Sequence, residues 1–111
     1  MSPAAASSAP VEDILYAIAV VRYRKPIEEV LKIVEAHRSY LRELKKKGWL
    51  LASGPLDPRT GGVLLLRVPD DQSATHLDRV RDGDPFVQTG TAQYEIWPWL
   101  PNIGKEDLDR L

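Results

Sequence analysis

The sequence predicts one α+β domain ordered β-α-β-β-α-β, a single sheet carrying both helices on one face. Three observations lead there. Short apolar segments rich in Ile, Val, Leu and Tyr alternate with two stretches of helical period. Pro and Gly mark the turns between them. And 111 residues fit one hydrophobic core rather than two, since domains commonly hold about 100–150 residues.

The elements follow in order. "ILYAIAVVR", Ile14 to Arg22, is apolar on both alternating faces, as a strand covered on two sides is. "KPIEEVLKIVEAHRSYLRELKKKG" places Pro26 at a first-turn position, Glu28 and Glu29 early, and Lys45, Lys46 and Lys47 late before Gly48, so both ends of a helix are marked. Its apolar members Ile27, Val30, Leu31, Val34, Leu41 and Leu44 recur at three- and four-residue steps. "WLLAS" (49–53) and "GVLLLRV" (62–68) read as paired strands around the turn "GPLDPRTG", with Thr60 to Gly62 part of that turn. Ser73 is placed to cap a shorter helix through "ATHLDRVRD", with Leu77 and Val80 inward and His76 outward. Asp84 before Pro85 starts a separate helical turn, and "TAQYEIWPW" resumes strand alternation with Ala92, Tyr94 and Ile96 on one side.

This order fits the split βαβ, or ferredoxin-like, sandwich. With both helices on one face, the other face exposes alternate residues of Leu15, Ala17, Ala19 and Val21 or their neighbours, plus part of Leu64–Leu66, an apolar area too large for a monomer. A homodimer packed sheet to sheet removes it. The chain divides into a flexible leader over 1–12, the domain over 13–100 and a mobile tail or arm over 101–111.

Composition narrows the function. Fifteen basic against sixteen acidic side chains give a net charge of −1, which argues against nucleic acid as a partner because binding phosphates requires a basic surface. The absence of cysteine removes disulfides, thiolate catalysis and Cys-based zinc sites. The leader lacks the basic start and apolar run of a secretory signal, and no segment approaches the roughly 20 apolar residues that cross a bilayer, so the expected setting is the cytoplasm, away from membranes. His76, Asp78 and Asp82 lack metal-ligand spacing, and no metal or organic cofactor is expected.

The chemistry then rests on few residues. His37 lies three residues after Val34 and four before Leu41, within the apolar stripe, with Arg38 on its border. One reading makes His37 a core-edge imidazole bonded to backbone; the other makes it a general acid/base. Asp84 is an N-cap on local sequence, yet a capping carboxylate keeps an oxygen that can orient His37. Ser53 and Gly54 end a strand where backbone approaches a ligand closely, or simply exit into a turn. Trp49, Trp97 and Trp99 read as packing or interface groups, with pocket lining the lesser alternative.

"AHRSYLRELKKKGWLLASGP", then "GGVLLL", then "DPFVQTGTAQYEIWPW" resembles the YciI-like (YCII-related) family from about Leu15 to Trp99. The likeness rests on His37 with Leu41, the Gly48 exit, Ser53-Gly54-Pro55, and Asp84-Pro85-Phe86 with Gly90. It implies a dimeric α+β barrel of ferredoxin-like subunits and an active site of His37 and Asp84 with the Ser53 strand end close by. One member acts as a dehydrochlorinase on a chlorinated hydroxyhydroquinone; its substrate is not carried over. Many members show "RPxHL", with Arg three positions before the histidine, where this chain has Val34; Arg38 or Arg22 is offered in its place. The expected function is a cofactor-independent lyase or isomerase acting on a small cyclic or aromatic oxygenated molecule. The alternative is a non-catalytic small-ligand-binding or regulatory module.

Overall fold

The computed structural model describes residues 13–70 and 75–111; the leader over 1–12 and the cap at Ser73 lie outside the described residues. Strand β1 (Ile14–Tyr23) leads through Pro26 into helix α1 (Ile27–Lys47). Gly48 ends that helix at φ 85°, a left-handed conformation in which its N–H and that of Trp49 reach the Lys45 and Leu44 carbonyls. Strands β2 (Leu50–Pro55) and β3 (Gly61–Pro69) form a hairpin; helices α2 (Thr75–Gly83) and α3 (Pro85–Gln88) follow, then strand β4 (Ala92–Trp99) and a short helix α4 (Lys105–Asp109).

The sheet order is β2-β3-β1-β4 with every neighbour antiparallel, the ferredoxin-like arrangement. Register sorts its two faces. Ala17 pairs with Leu66, Ala19 with both Leu64 and Ile96, and Val21 with both Gly62 and Tyr94, so these residues share the helix-covered face. There Ala17, Ala19, Val21, Leu64, Leu66 and Val68 meet Val30, Leu41 and Leu44 of α1, Leu77 and Val80 of α2, and Phe86 of α3 in one buried cluster. Burying each such leucine contributes roughly 1.5–3 kcal/mol. Gly61 sits where β3 crosses β1 most closely: a Cβ there would stand 1.8 Å from the Val21 carbonyl oxygen, so no side chain fits. Strand β3 accordingly begins at Gly61, inside the segment expected as turn.

The buried stripe of α1 runs Val30, Val34, His37, Leu41, Leu44, with Val34 and His37 partly exposed. Ile27 and Leu31, expected in it, are 39% and 53% exposed: Ile27 is the first residue of the helix, and Leu31 lies one position to the side of Val30. His76 also departs from its expected outward place. Its Nδ1 lies 3.0 Å from the Pro69 carbonyl and its ring meets the edge of Trp49, which covers that end of the core.

The other face carries Tyr16, Ile18 and Val20 of β1 beside Arg67, Leu65 and Val63 of β3. Its first row is covered by the C-terminal segment. Tyr16 donates to Asp109 Oδ1 at 2.5 Å, and Arg67 donates to the Leu108 carbonyl at 2.9 Å, so these residues form an arm rather than a mobile tail. The next rows, Ile18 with Leu65 and Trp97, then Val20 with Val63, lie beyond that contact, and Trp97 is 59% exposed. Among the described residues no helix is long and apolar enough to cross a membrane.

Candidate active site

Asp84 is fixed first by local sequence. Gly83 ends α2, Pro85 opens α3 with a preset φ, and Asp84 between them takes an extended conformation in which its Oδ1 accepts the Phe86 N–H at 2.8 Å. The α2–α3 junction is then tied to α1. Tyr40 donates to the Val80 carbonyl at 2.7 Å, and its ring lies so close to Gly83 that an added Cβ would come within 2.6 Å of the hydroxyl. Tyr40 is one turn from His37 on the same helix, so this tether brings the Asp84 carboxylate to the imidazole.

The two side chains meet. His37 Nδ1 lies 2.9 Å from Asp84 Oδ1 and 2.8 Å from Oδ2, with Asp84 fully buried. Tyr94 of β4 donates to Oδ2 at 2.5 Å. The carboxylate thus accepts from three donors: an imidazole N–H, a backbone N–H and a phenol. Because a carboxylate only accepts, Nδ1 carries a proton, and Nε2 is the ring nitrogen left to exchange one. Phe86 stacks on the ring at 4.0 Å with planes 14° apart, and so restrains its rotation.

The surrounding hydroxyls remain protonated. Burial first, then the charge of Asp84 and their hydrogen bond, pushes the Tyr94 hydroxyl well above the ordinary tyrosine range. Tyr40 is pushed up to about 12, by burial first and then by Asp84 and Asp82. Both therefore serve as donors at neutral pH.

His37 opens onto a cavity of about 180 Å³ between α1 and the β1–β3–β2 end of the sheet. Val34, Arg38 and Leu41 line it from the helix, Val21, Tyr23 and Leu64 from the sheet, and Phe86 at one end. Ser53, Gly54, Gly61 and Gly62 line it from the β2–β3 hairpin. Of the residues expected at the site, His37, Asp84, Ser53, Gly54 and Arg38 come together: four line the cavity and Asp84 stands behind the imidazole. Arg38 spends part of its charge on Glu35, 3.1 Å away. Arg22 lies outside, on the opposite sheet face, paired with Glu95 at 3.1 Å. Of the tryptophans, none lines this cavity.

Two residues escaped the sequence reading. Alternation sets Tyr94 on one side of β4 with Ala92 and Ile96 and assigns it no role; its hydroxyl, on what proves to be the buried side, needs a partner, and that is the available signal. Arg59 lies in a segment read only as turn, and it lines the mouth beside Tyr23, to whose hydroxyl its Nε donates at 3.3 Å. Nothing local announced it. Among the described residues no group of three or more His, Cys, Asp or Glu side chains could hold a metal ion.

Comparison with known proteins adds two findings. Residues 14–100 match the family model described as the YCII-related domain. Among solved structures the chain is similar to the 5-chloro-2-hydroxyhydroquinone dehydrochlorinase of Burkholderia phenoliruptrix AC1100, determined in complex with 2,5-dihydroxybenzoquinone. The two are 20% identical with a TM-score of 0.65, covering 79% of this chain and 96% of that one, a likeness of fold. No curated protein matches the chain in sequence.

Proposed function

This chain belongs to the YCII-related domain family, and from that premise we propose that it is a small-molecule enzyme in which His37, oriented by Asp84, transfers a proton on a cyclic or aromatic oxygenated substrate. The reaction is an elimination, an isomerisation or a related lyase step. One observation carries the reading: an imidazole whose Nδ1 is bound to a buried carboxylate has its other nitrogen left for a cavity. Nε2 takes a proton from substrate, Asp84 stabilises the imidazolium that forms, and the same nitrogen returns the proton to a leaving group or to a second carbon. Ser53, whose hydroxyl has no partner among the described residues, and Arg38 hold a polar substituent.

The size of the cavity supports the substrate class. An apolar cavity of about 150 Å³ holds benzene, so about 180 Å³ suits one ring with small substituents. The dehydrochlorinase of similar fold, bound to a dihydroxybenzoquinone, acts within that class. The test is a panel of halogenated and hydroxylated one-ring compounds followed by mass spectrometry. His37→Gln is expected to lower conversion by about 10²-fold or more; a purified His37→Gln protein that turns over like the wild type overturns the proposal.

We also propose that two copies pair through the open sheet face. Ile18, Val20, Val63, Leu65 and Trp97 form an apolar strip there beyond the C-terminal arm, and a second copy of the same strip is its natural complement.

A further inference from the structure

Among the described residues, the charged side chains lining the His37 cavity are both basic: Arg38 and Arg59 line it, no Asp or Glu does, and Asp84 is screened behind His37 with its oxygens occupied by three donors. The two arginines are not equivalent. Arg38 is paired with Glu35. Arg59 has no carboxylate partner among the described residues; its Nε is engaged by the neutral Tyr23 hydroxyl, which orients the guanidinium and leaves the terminal nitrogens for a ligand. Apolar side chains of Val21, Val34 and Leu64 complete the lining, with Arg59 the arginine not paired to a carboxylate among the described residues.

We propose that the site selects small planar anions, and that Arg59, held by Tyr23, is the specificity-determining residue that binds the anionic oxygen. The ligand class is a one-ring carboxylate, phenolate or enolate. This proposal rests on the catalytic reading only for the location of the substrate, and it assigns Arg59 no part in proton transfer.

Benzoate and benzamide have nearly the same shape and differ in charge, so their dissociation constants, measured by chemical-shift titration, isolate the effect. Wild-type protein is expected to bind benzoate about tenfold more tightly than benzamide, a difference of about 1.4 kcal/mol. Arg59→Gln is expected to bring the two within about twofold while leaving benzamide binding and the melting temperature unchanged, because Arg59 is exposed. Arg59→Lys restores part of the preference, since it keeps charge but loses the fork. His37→Gln should abolish turnover and retain the preference. The two proposals therefore fail separately: an active His37→Gln enzyme removes the catalytic reading and leaves this one standing. Equal binding of the two probes by wild type, binding of neither, or a preference that survives Arg59→Gln overturns it.

Discussion

Asp84→Asn is the substitution that most directly tests the site, because it changes almost no volume and reverses the hydrogen-bonding sense of one atom. The amide oxygen can still accept the Phe86 N–H, and asparagine caps helices about as well as aspartate, so the α3 turn is retained. At the Oδ2 position an NH₂ group now faces the His37 Nδ1–H, formerly at 2.8 Å, and the Tyr94 hydroxyl, formerly at 2.5 Å. Donors confront donors. The His37 Nδ1–H is left to share the oxygen at the Oδ1 position, 2.9 Å away, with the Phe86 N–H, and Tyr94 must accept from the amide, leaving its own proton without a partner. Each hydrogen bond to a charged group contributes about 1.5–3 kcal/mol, and removing a buried charge recovers part of that, so a net loss of about 2–3 kcal/mol is expected. For a domain of this size the melting temperature falls by on the order of 10 °C.

Urea unfolding measures the energy, and ¹⁵N NMR of the imidazole reads the tautomer, since the protonated and lone-pair nitrogens resonate far apart. Wild type should show a proton on Nδ1, whatever the substrate. Asp84→Ala serves as the control for capping and should lose about a further 1 kcal/mol through the unsatisfied Phe86 N–H. A wild type that carries no proton on Nδ1, or an Asp84→Asn protein whose stability lies within about 0.5 kcal/mol of wild type, refutes the account of this site.

Further outcomes are expected. Tyr94 has its folded-state pKa raised above the ordinary 10.0, so its stabilisation is complete below about pH 10 and is lost as pH rises beyond that, where only the unfolded chain ionises. Wild-type stability should fall there by a component of about 1.4 kcal/mol per pH unit that Tyr94→Phe removes; superimposable pH profiles would contradict it. Ile18→Asp, on the open sheet face, should shift sedimentation from dimer to monomer with little change in the circular dichroism spectrum, whereas a wild type that sediments as a monomer rejects the sheet-to-sheet dimer. Leu66→Ala, at a fully buried position beside Ala17, should cost about 2–5 kcal/mol in chemical denaturation, and a smaller loss would mean that the cluster closes around the gap.

What the sequence reveals, and what it conceals, follows from the range of the forces involved. The ends of α1 are legible because Pro26, Glu28, Glu29 and Gly48 act within one turn of the chain. The strands are legible because alternation is a property of consecutive residues. Even Asp84 as a cap can be read, since its partner Phe86 is two residues away. The contact that gives Asp84 a chemical purpose spans 47 residues, and it is closed by Tyr40 holding α2 from α1 and by Tyr94 arriving from β4. Resemblance to a family could pair His37 with Asp84, but periodicity alone left His37 as an imidazole in an apolar stripe. Alternation groups Tyr94 with Ala92 and Ile96 but says nothing of what its hydroxyl meets. Arg59 was beyond local reading for a different reason: a turn residue acquires meaning only from the wall it faces. Here that wall is α1, across the cavity from the β2–β3 hairpin. A site assembled this way, with its acid fixed by a local cap and its base fixed by a helix stripe, depends on the tertiary tether between them, so substitutions at Tyr40 and Gly83 should disturb His37 without touching it.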